Sequence, residues 1–365
     1  MKNTFGQSIT VTLFGESHGE EIGAVLDGLA PGLPVSEENI KKALSLRRPS
    51  GNISTARAEA DAFRIVSGVY EGKTTGTPLT LLIPNAERRS EDYGETARLA
   101  RPSHADYTAE CKYHGFQDHR GGGHFSGRLT APLVAVGAIL RDALKEKGIE
   151  IGTHILRIGE AFDRPFADYG ADFETLASLP FPVLDEDAGE KMQALILAAK
   201  AEGDSVGGIL ESAVTGMPRG VGEPWFDSVE SLISHMLFSI PAVKGVEFGE
   251  GFGFAALRGS EANDPLINED GEVKTATNRN GGVCGGITNG MPLLFRTVIK
   301  PTPSIYKTQK TVSLDTGENA EITVRGRHDP CIVHRARAVV DAVTAIALAD
   351  MLASRFGTDY FCPKK

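Results

Sequence analysis

Residues 336–352, ARAVVDAVTAIALADML, are the stretch that decides the fold. The polar interruptions in this stretch are Arg337, Asp341, Thr344 and Asp350. A second stretch, residues 131–140 (APLVAVGAIL), carries no polar side chain at all. A helix that is apolar on all sides belongs in the interior of a protein. The two stretches therefore predict two buried central helices.

Strand-like segments lie on both sides of these helices in the sequence. Alternation and β-branched residues predict strands at residues 8–14, 63–70, 208–216, 292–300 and 320–325. Shorter capped helices are predicted after Ser36 and Ser228. The strands do not alternate regularly with helices, which favours antiparallel sheets. We therefore predict an α+β fold with central buried helices covered by mostly antiparallel sheets, and, because no Pro-, Ser- or Gly-rich linker divides the chain, a single domain over 1–365.

Composition and charge narrow the function classes. The chain has 365 residues, 41% of them hydrophobic and 24% charged, as in an ordinary globular protein. Its formal net charge of -10 disfavours nucleic acid and anionic membranes as partners. The four cysteines form no CxxC pair, and the N-terminus shows no signal-peptide pattern. The longest apolar run, residues 129–140, is shorter than the roughly 20 residues of a membrane helix. We expect a cytoplasmic protein.

Three segments resemble functional motifs only in part. GESHG at 15–19 fits the nucleophile elbow of serine hydrolases, with Ser17 as nucleophile, but the residues after it contain glycines and prolines where that fold needs a helix. GVYEGKT at 68–74 is one residue short of a phosphate-binding P-loop and is explained more simply as a turn between two strands. The polar segment 263–282 predicts a long surface loop, either a lid or a plain insertion.

Histidines and arginines concentrate in one part of the chain. Four of the nine histidines lie between Arg101 and Arg128, namely His104, His114, His119 and His124. Their spacing matches no familiar set of metal ligands, so we expect no metal site. RGGGHFSGR at 120–128 offers glycine N–H groups, a serine and two guanidiniums before a predicted helix start, which favours an anion pocket. The basic residues expected to complete this pocket are Arg47, Arg48, Arg325, Arg327 and His328.

The chain resembles the chorismate synthase family, and the resemblance extends along the whole sequence. It rests on motifs that occur in the order and spacing of that family: GESHG at 15–19, RRPSG at 47–51, RPSHADYT at 101–108, RGGGHFSGRLTA at 120–131, KGVEFGEGF at 244–252, GGVCGGITNG at 281–290, KPTPSI at 300–305 and GRHDPC at 326–331. The resemblance implies a β-α-β sandwich, assembled as a homotetramer, that acts in the shikimate pathway of aromatic amino acid biosynthesis.

The reaction that the resemblance implies is a lyase reaction without net oxidation. Phosphate leaves C3 and a hydrogen leaves C6 of 5-enolpyruvylshikimate 3-phosphate in an anti-1,4-elimination that gives chorismate. The family requires reduced FMN, which supplies the redox chemistry. The chain has no dinucleotide fingerprint and no extra domain, so we expect a monofunctional enzyme whose flavin is reduced by an external, NADPH-dependent flavin reductase.

The resemblance also implies roles for individual residues. His18 would protonate the departing phosphate and His104 the reduced flavin, since histidine, with an unperturbed pKa of about 6.5, is suited to proton transfer near neutrality. Ser17, Ser126 and Asp329 would assist the hydrogen transfer. The substrate anions would be bound by Arg47, Arg48, Arg101, Arg128 and Arg327, because guanidinium forks suit phosphate and carboxylate groups.

The flavin site implied by the resemblance is spread along the chain. Its expected contacts are Phe125, Ser126, Gly127, Pro241, Ala242, Gly285, Lys300, Pro301, Thr302, Pro303, Ser304 and Arg327. Two positions depart from the family pattern. Many relatives have Asn at Pro241, and many have Arg, linked to NADP or substrate anions, at Ile53. Arg47 is then the better candidate for the NADP-linked role.

Overall fold

The computed structural model describes residues 2–49, 51–54, 61–85, 98–324, 326 and 328–363. Within these ranges there are eight α-helices: α1 (Glu37–Arg47), α2 (Asp106–Tyr113), α3 (Thr130–Lys145), α4 (Tyr169–Ser178), α5 (Glu186–Ala201), α6 (Val229–Ser239), α7 (Gly259–Ala262) and α8 (Val333–Phe356). None of the helices in the described ranges is both long and apolar enough to cross a membrane.

The described residues also form strands, most of them short. They are β1 (Thr4–Phe5), β2 (Thr10–Gly15), β3 (Glu21–Asp27), β4 (Arg64–Ser67), β5 (Val69–Tyr70), β6 (Lys73–Thr74), β7 (Leu79–Pro84), β8 (Glu150–Ile158), β9 (Ala161–Phe162), β10 (Gly208–Thr215), β11 (Val243–Phe248), β12 (Leu266–Glu269), β13 (Glu272–Thr275), β14 (Val283–Cys284), β15 (Ile287–Thr288), β16 (Leu293–Ile299), β17 (Gln309–Val312) and β18 (Asn319–Ile322).

Two five-stranded antiparallel sheets enclose the central helices. Sheet I has the spatial order β1-β2-β3-β7-β4, and sheet II has the order β11-β16-β10-β8-β9. Helix α3 packs against β3 and β7 of sheet I, α8 packs against β8 and β10 of sheet II, and the two helices pack against each other. The expected α+β sandwich with buried central helices is therefore confirmed.

The close contact between α3 and α8 explains why both helices are rich in small apolar residues. A Cβ atom placed on Gly137 of α3 would lie 2.5 Å from the Cβ of Ala342 on α8, so the crossing needs glycine there. The polar residues of α8 act as anchors within the core. Asp350 accepts hydrogen bonds from the backbone N–H groups of Ser8 and Ile9, at 2.7 and 2.9 Å. Arg337 donates to the carbonyl of Leu176 at 2.9 Å.

Local predictions were borne out unevenly. Ser36 and Ser228 cap α1 and α6 as expected, each accepting a backbone hydrogen bond through its side chain. GVYEGKT contains β5, β6 and the turn between them, and GESHG leads into β3 instead of a helix. The segment 263–282 differs from the expected long surface loop, because β12 and β13 pair within it as a hairpin. The hairpin is mostly exposed, which leaves little apolar periodicity in the sequence to indicate it.

Candidate active site

A cavity of about 1660 Å³ lies where the start of α8, the end of α6, β2 and several loops meet. Most of the residues expected at the site line this cavity: His18, Arg47, Arg48, Arg101, His104, Phe125, Ser126, Gly127, Arg128, Pro241, Ala242, Lys300, Thr302, Pro303, Ser304 and Asp329. Part of its wall is apolar, formed by Val11, Leu13, Leu133, Phe238 and Val339. Positions from distant parts of the sequence are thus brought together at one place.

Among the described residues, three of those expected at the site are not part of the lining. Ser17 lies just behind it, with its Oγ 3.2 Å from His18 Nδ1. Pro301 is adjacent to lining residues but is not one itself. Gly285 is exposed in the turn between β14 and β15, away from the cavity lining. Arg327 lies outside the described residues, as does Arg325.

The glycine-rich segment Arg120–Phe125 forms a tight turn that both candidate acids approach closely. Gly121, Gly122 and Gly123 all have positive φ, a backbone conformation that favours glycine. A Cβ atom on Gly121 would lie 2.2 Å from His18 Cε1, and one on Gly122 would lie 3.1 Å from His104 Cε1. The glycines are therefore needed to let the two imidazole rings pack against this turn.

Three of the expected substrate arginines meet at one buried carboxylate, Asp61. Its Oδ2 lies 3.1 Å from Arg47 Nη2 and 3.9 Å from Arg48 Nε, and its Oδ1 accepts a hydrogen bond from Arg128 Nη1. Burial alone would raise the pKa of Asp61, but the nearby charges of Arg47 and Arg128 outweigh burial and hold it below its usual value. The arginines line the cavity and Asp61 does not, so this carboxylate anchors them from behind.

Arg101 and His104 share a second carboxylate, that of Asp106. Arg101 donates to it from Nε at 2.8 Å and from Nη2 at 2.7 Å, and His104 Nδ1 lies 2.8 Å from Asp106 Oδ1. Burial would raise the pKa of Asp106, but hydrogen bonds from Arg101 and His104 prevail and hold it well below its usual value. An ionised carboxylate only accepts hydrogen bonds, so its contact with His104 places the ring proton at Nδ1, which also lies 3.1 Å from Arg101 Nη2. The edge of the ring nearest Gly122 consists of Cε1 and Nε2.

Asp329 is fixed by a residue that the sequence motifs did not single out. Arg335, in the first turn of α8, donates to the Asp329 carboxylate through Nη1 and to the carbonyl of Arg47 through Nε at 2.8 Å. Arg335 lines the cavity beside Asp329. One guanidinium therefore connects the GRHDPC motif with the end of α1.

Lys300, which also lines the cavity, connects two strained segments. Its Nζ donates to the carbonyl of Ser103 at 2.6 Å, and its backbone N–H donates to the carbonyl of Ala242 at 2.9 Å. Ser103 and Ala242 have φ values of 59° and 78°, which are uncommon for residues with a Cβ atom and cluster at functional sites. Burial and the charge of Lys244 lower the pKa of Lys300. The loop before His104 is thereby tied to the end of β16.

Not every basic residue of the expected anion pocket contributes to the cavity. Arg120 is half exposed, pairs with Asp118 at 2.8 Å, and is absent from the lining. Among the described residues, no group of three or more His, Cys, Asp or Glu side chains is arranged to hold a metal ion. The lining offers guanidinium, imidazole and lysine side chains beside an apolar wall. That combination can bind a polyanion beside a flat apolar ring and can deliver protons to it.

The sequence did not single out Asp61, Asn85, Asp106 or Arg335. Asp106 was within reach of sequence reasoning, since it lies two residues after His104 in RPSHADYT. Asp61 and Asn85 give no such signal, because the arginines at Asp61 are 13 or more residues away in the sequence and the arginine at Asn85 is 43 residues away.

The chain is similar to known proteins in family pattern, in sequence and in structure. Residues 9–353 match the family model described as chorismate synthase. The chain is 47% identical over 351 residues to the chorismate synthase of Thermococcus gammatolerans, covering 96% of this chain and 97% of that protein. It is 46% identical over 356 residues to that of Methanosarcina mazei, covering 97% of each. A crystal structure of chorismate synthase superposes with a TM-score of 0.76 at 30% identity, over 97% of this chain and 94% of the other.

Proposed function

The chain belongs to the chorismate synthase family and is a lyase, and from this premise we propose that it removes phosphate from C3 and a hydrogen from C6 of 5-enolpyruvylshikimate 3-phosphate to give chorismate. The observation that carries this proposal is the convergence of Arg47, Arg48, Arg101 and Arg128 with His18 and His104 on one cavity. The proposed substrate carries a phosphate and two carboxylates. A chain of net charge -10 binds such an anion only through a local cluster of cations.

The cavity also fits a reduced FMN beside the substrate. Its volume of about 1660 Å³ exceeds the range of about 300–1,000 Å³ that serves a single small ligand. Its apolar wall suits a fused ring system, and the cations at Lys300 and Lys244 suit a ligand phosphate. Bound reduced FMN would lend an electron to the substrate as phosphate leaves and would regain it with the C6 hydrogen at its N5 position, so that no net oxidation results.

The arginines would bind the substrate anions and orient them. Arg47 and Arg128 are held by Asp61, and Arg101 is held by Asp106, so their guanidinium planes are fixed before the substrate arrives. Fixed donors lose less conformational entropy on binding than free side chains do. Each charged hydrogen bond to the substrate is worth about 1.5–3 kcal/mol.

The two histidines would hold the protons. His18 lies against Ser17 and Gly121 at the cavity wall, where it would deliver a proton to the leaving phosphate oxygen. His104 would hold a proton at Nε2, because Nδ1 is already engaged by Asp106. We propose that Ser17, Ser126 and Asp329 assist the hydrogen transfer at C6.

The deciding experiment is an anaerobic incubation of the chain with 5-enolpyruvylshikimate 3-phosphate and chemically reduced FMN, with chorismate and phosphate followed together. Equal release of both is expected. His18→Ala and His104→Ala are each expected to lower turnover by about 10² to 10⁴, the usual effect of losing a general acid. Absence of product in the presence of bound flavin would refute the proposed reaction, and wild-type turnover by either variant would refute that histidine's role.

The supply of reduced flavin belongs to the same proposal. We propose that an external NADPH-dependent reductase reduces FMN, and that the enzyme is a cytoplasmic homotetramer. Ile53, at the position linked to NADP in many relatives, is buried in the hydrophobic core, and Arg47 is engaged by Asp61. Purified protein with oxidised FMN and NADPH alone should give no anaerobic turnover. Light scattering coupled to size exclusion tests the tetramer.

A further inference from the structure

Asn85, the residue after β7, connects Arg128 with the turn that carries His18. It is buried, with 7% of its surface exposed. Its Oδ1 accepts a hydrogen bond from Arg128 Nε at 3.1 Å, and its Nδ2 donates to the carbonyls of Glu16 and Gly19, both at 3.0 Å. Its backbone N–H donates to the carbonyl of Glu20 at 3.1 Å. One amide therefore joins an anion-binding arginine to both ends of the GESHG turn.

The chemistry of these contacts leaves one orientation for the amide. A guanidinium Nε–H can only donate, so it needs the amide oxygen, and two carbonyl oxygens can only accept, so they need the amide nitrogen. Asparagine is the side chain of this size that provides one acceptor and two donors. Aspartate, its isostere, would present an oxygen to the carbonyls of Glu16 and Gly19.

Arg128 and the His18 turn differ in how much they depend on Asn85. Arg128 also donates to Asp61 and to the carbonyl of Pro84, so other contacts hold its guanidinium. On the opposite side, the turn is held by the bond from Ser17 N–H to the Gly123 carbonyl at 3.1 Å and by His124 Nδ1, which donates to the Gly15 carbonyl at 2.8 Å. Loss of the Asn85 amide would release the turn on one side and leave Arg128 largely in place.

We propose that Asn85 is a positioning residue that fixes His18 relative to the substrate anion bound at Arg128. The inference rests on the proposed function, because it takes His18 as the proton donor to the leaving phosphate. Asn85 does not line the cavity and touches no reacting atom. Its effect is on the distance between the bound anion and the acid, on which proton transfer depends steeply.

The test uses Asn85→Ala and the isosteric Asn85→Asp in the full-length protein with reduced FMN. Both variants should lower kcat by about 10- to 100-fold, and Asn85→Ala should leave the substrate KM within about threefold of wild type, because Arg128 keeps its other contacts. Asn278→Ala is the matched control. Asn278 also ties backbone groups together, bonding the Pro292 carbonyl at 2.9 Å and the Gly282 N–H at 2.7 Å, but lies outside the cavity lining. It should keep wild-type kcat.

A double-mutant cycle separates positioning from a general structural effect. If Asn85 acts through His18, Asn85→Ala costs little further in a His18→Ala background, because the acid is already gone. The same loss in both backgrounds, or wild-type kcat for Asn85→Ala, would overturn the proposal while leaving the proposed reaction intact. Wild-type turnover by His18→Ala would instead overturn the role of His18, and the role of Asn85 with it. Flavin-binding stoichiometry, measured by fluorescence titration, normalises every rate to folded sites.

Discussion

Two clusters of charged side chains in this molecule differ in their balance of positive and negative charge. At the cavity wall, three guanidiniums from Arg47, Arg48 and Arg128 surround the single carboxylate of Asp61. In sheet II, charges alternate along a cross-strand row that does not line the cavity. That row consists of His154 on β8, Glu211 on β10, Arg296 on β16 and Glu247 on β11.

The difference lies in how completely each cluster satisfies its own charges. His154 is held between Asp163 at 2.9 Å and Glu211 at 3.2 Å, and Arg296 bridges Glu211 at 3.2 Å and Glu247 at 2.8 Å. Among the described residues of the Asp61 cluster, cations outnumber the carboxylate by three to one. A balanced row contributes to stability, whereas a cation-rich cluster beside a cavity is arranged to receive an anion from outside.

The largest effect should come from neutralising Asp61. Asp61→Asn keeps the shape of the side chain and tolerates the φ of 47° at this position. It leaves the buried Arg47 without its carboxylate, and a guanidinium cannot lose its proton, so unfolding in urea should show a loss of about 3–5 kcal/mol. The substrate KM should rise by about tenfold or more, because the cavity arginines lose their anchor.

The matched control for this variant is Asp172→Asn. Asp172 is also a buried carboxylate paired with an arginine, Arg164 at 2.6 Å, but it lies on α4 outside the cavity lining. Its substrate KM should stay at the wild-type value. An unchanged KM in Asp61→Asn, or an equal rise in both variants, would contradict the distinction between the two clusters.

A smaller effect is expected from Glu211→Gln in the balanced row. The variant removes the carboxylate shared by His154 and Arg296, but His154 can lose its proton and Arg296 keeps Glu247. We expect a loss of about 1–3 kcal/mol in the free energy of unfolding, measured in urea. Because the row does not line the cavity, kcat and KM per folded molecule should not change. A rise in substrate KM would show that the row influences the cavity after all.

The layers of the fold could be predicted because they depend on local patterns. A helix whose side chains are apolar on all sides is buried, here between two sheets. This pattern predicted the positions of α3 and α8 correctly. The capping serines, which are also a local pattern, predicted where α1 and α6 begin. The hairpin of β12 and β13 was missed because its residues are mostly exposed and show no alternation.

The site could be predicted only in part, because its supporting contacts are not local. Motifs identified many of the cationic and imidazole side chains that line the cavity, but they identified neither Arg335 nor the groups that hold these side chains. Asp61 precedes β4 and Asn85 follows β7, and both are far from Arg128 in the sequence. Only folding brings them into contact with Arg128. The motifs also indicated Gly285, which the structure leaves in an exposed turn outside the cavity lining.

The smallest effect is a dependence of stability on pH that separates the two clusters. Burial would lower the pKa of His154, but Asp163 and Glu211 outweigh burial and raise it above its usual value. A raised histidine pKa contributes stability that is fully present below the unfolded pKa, about 6.5, and is lost as the pH rises through the folded pKa. The free energy of unfolding should therefore fall in that window, by up to about 1.4 kcal/mol per pH unit from this group.

The lowered pKa of Asp61 has the opposite effect on the pH dependence of stability. The contribution of Asp61 to the free energy of unfolding is present above about pH 3.9 and is lost only as the pH falls through its folded pKa. As the pH rises above about 6.5, then, the contribution of His154 to stability changes while that of Asp61 does not. Urea unfolding of the wild type and of His154→Gln from pH 6 to 9 isolates the contribution of His154. The nearby Tyr169 does not interfere, because burial and Glu211 raise its pKa. The difference between the two curves should shrink as the pH rises. Parallel curves would mean that His154 has the same pKa in the folded and the unfolded protein, and a difference that grows with pH would mean that folding lowers its pKa; either result would contradict stabilisation of its charged form by Asp163 and Glu211.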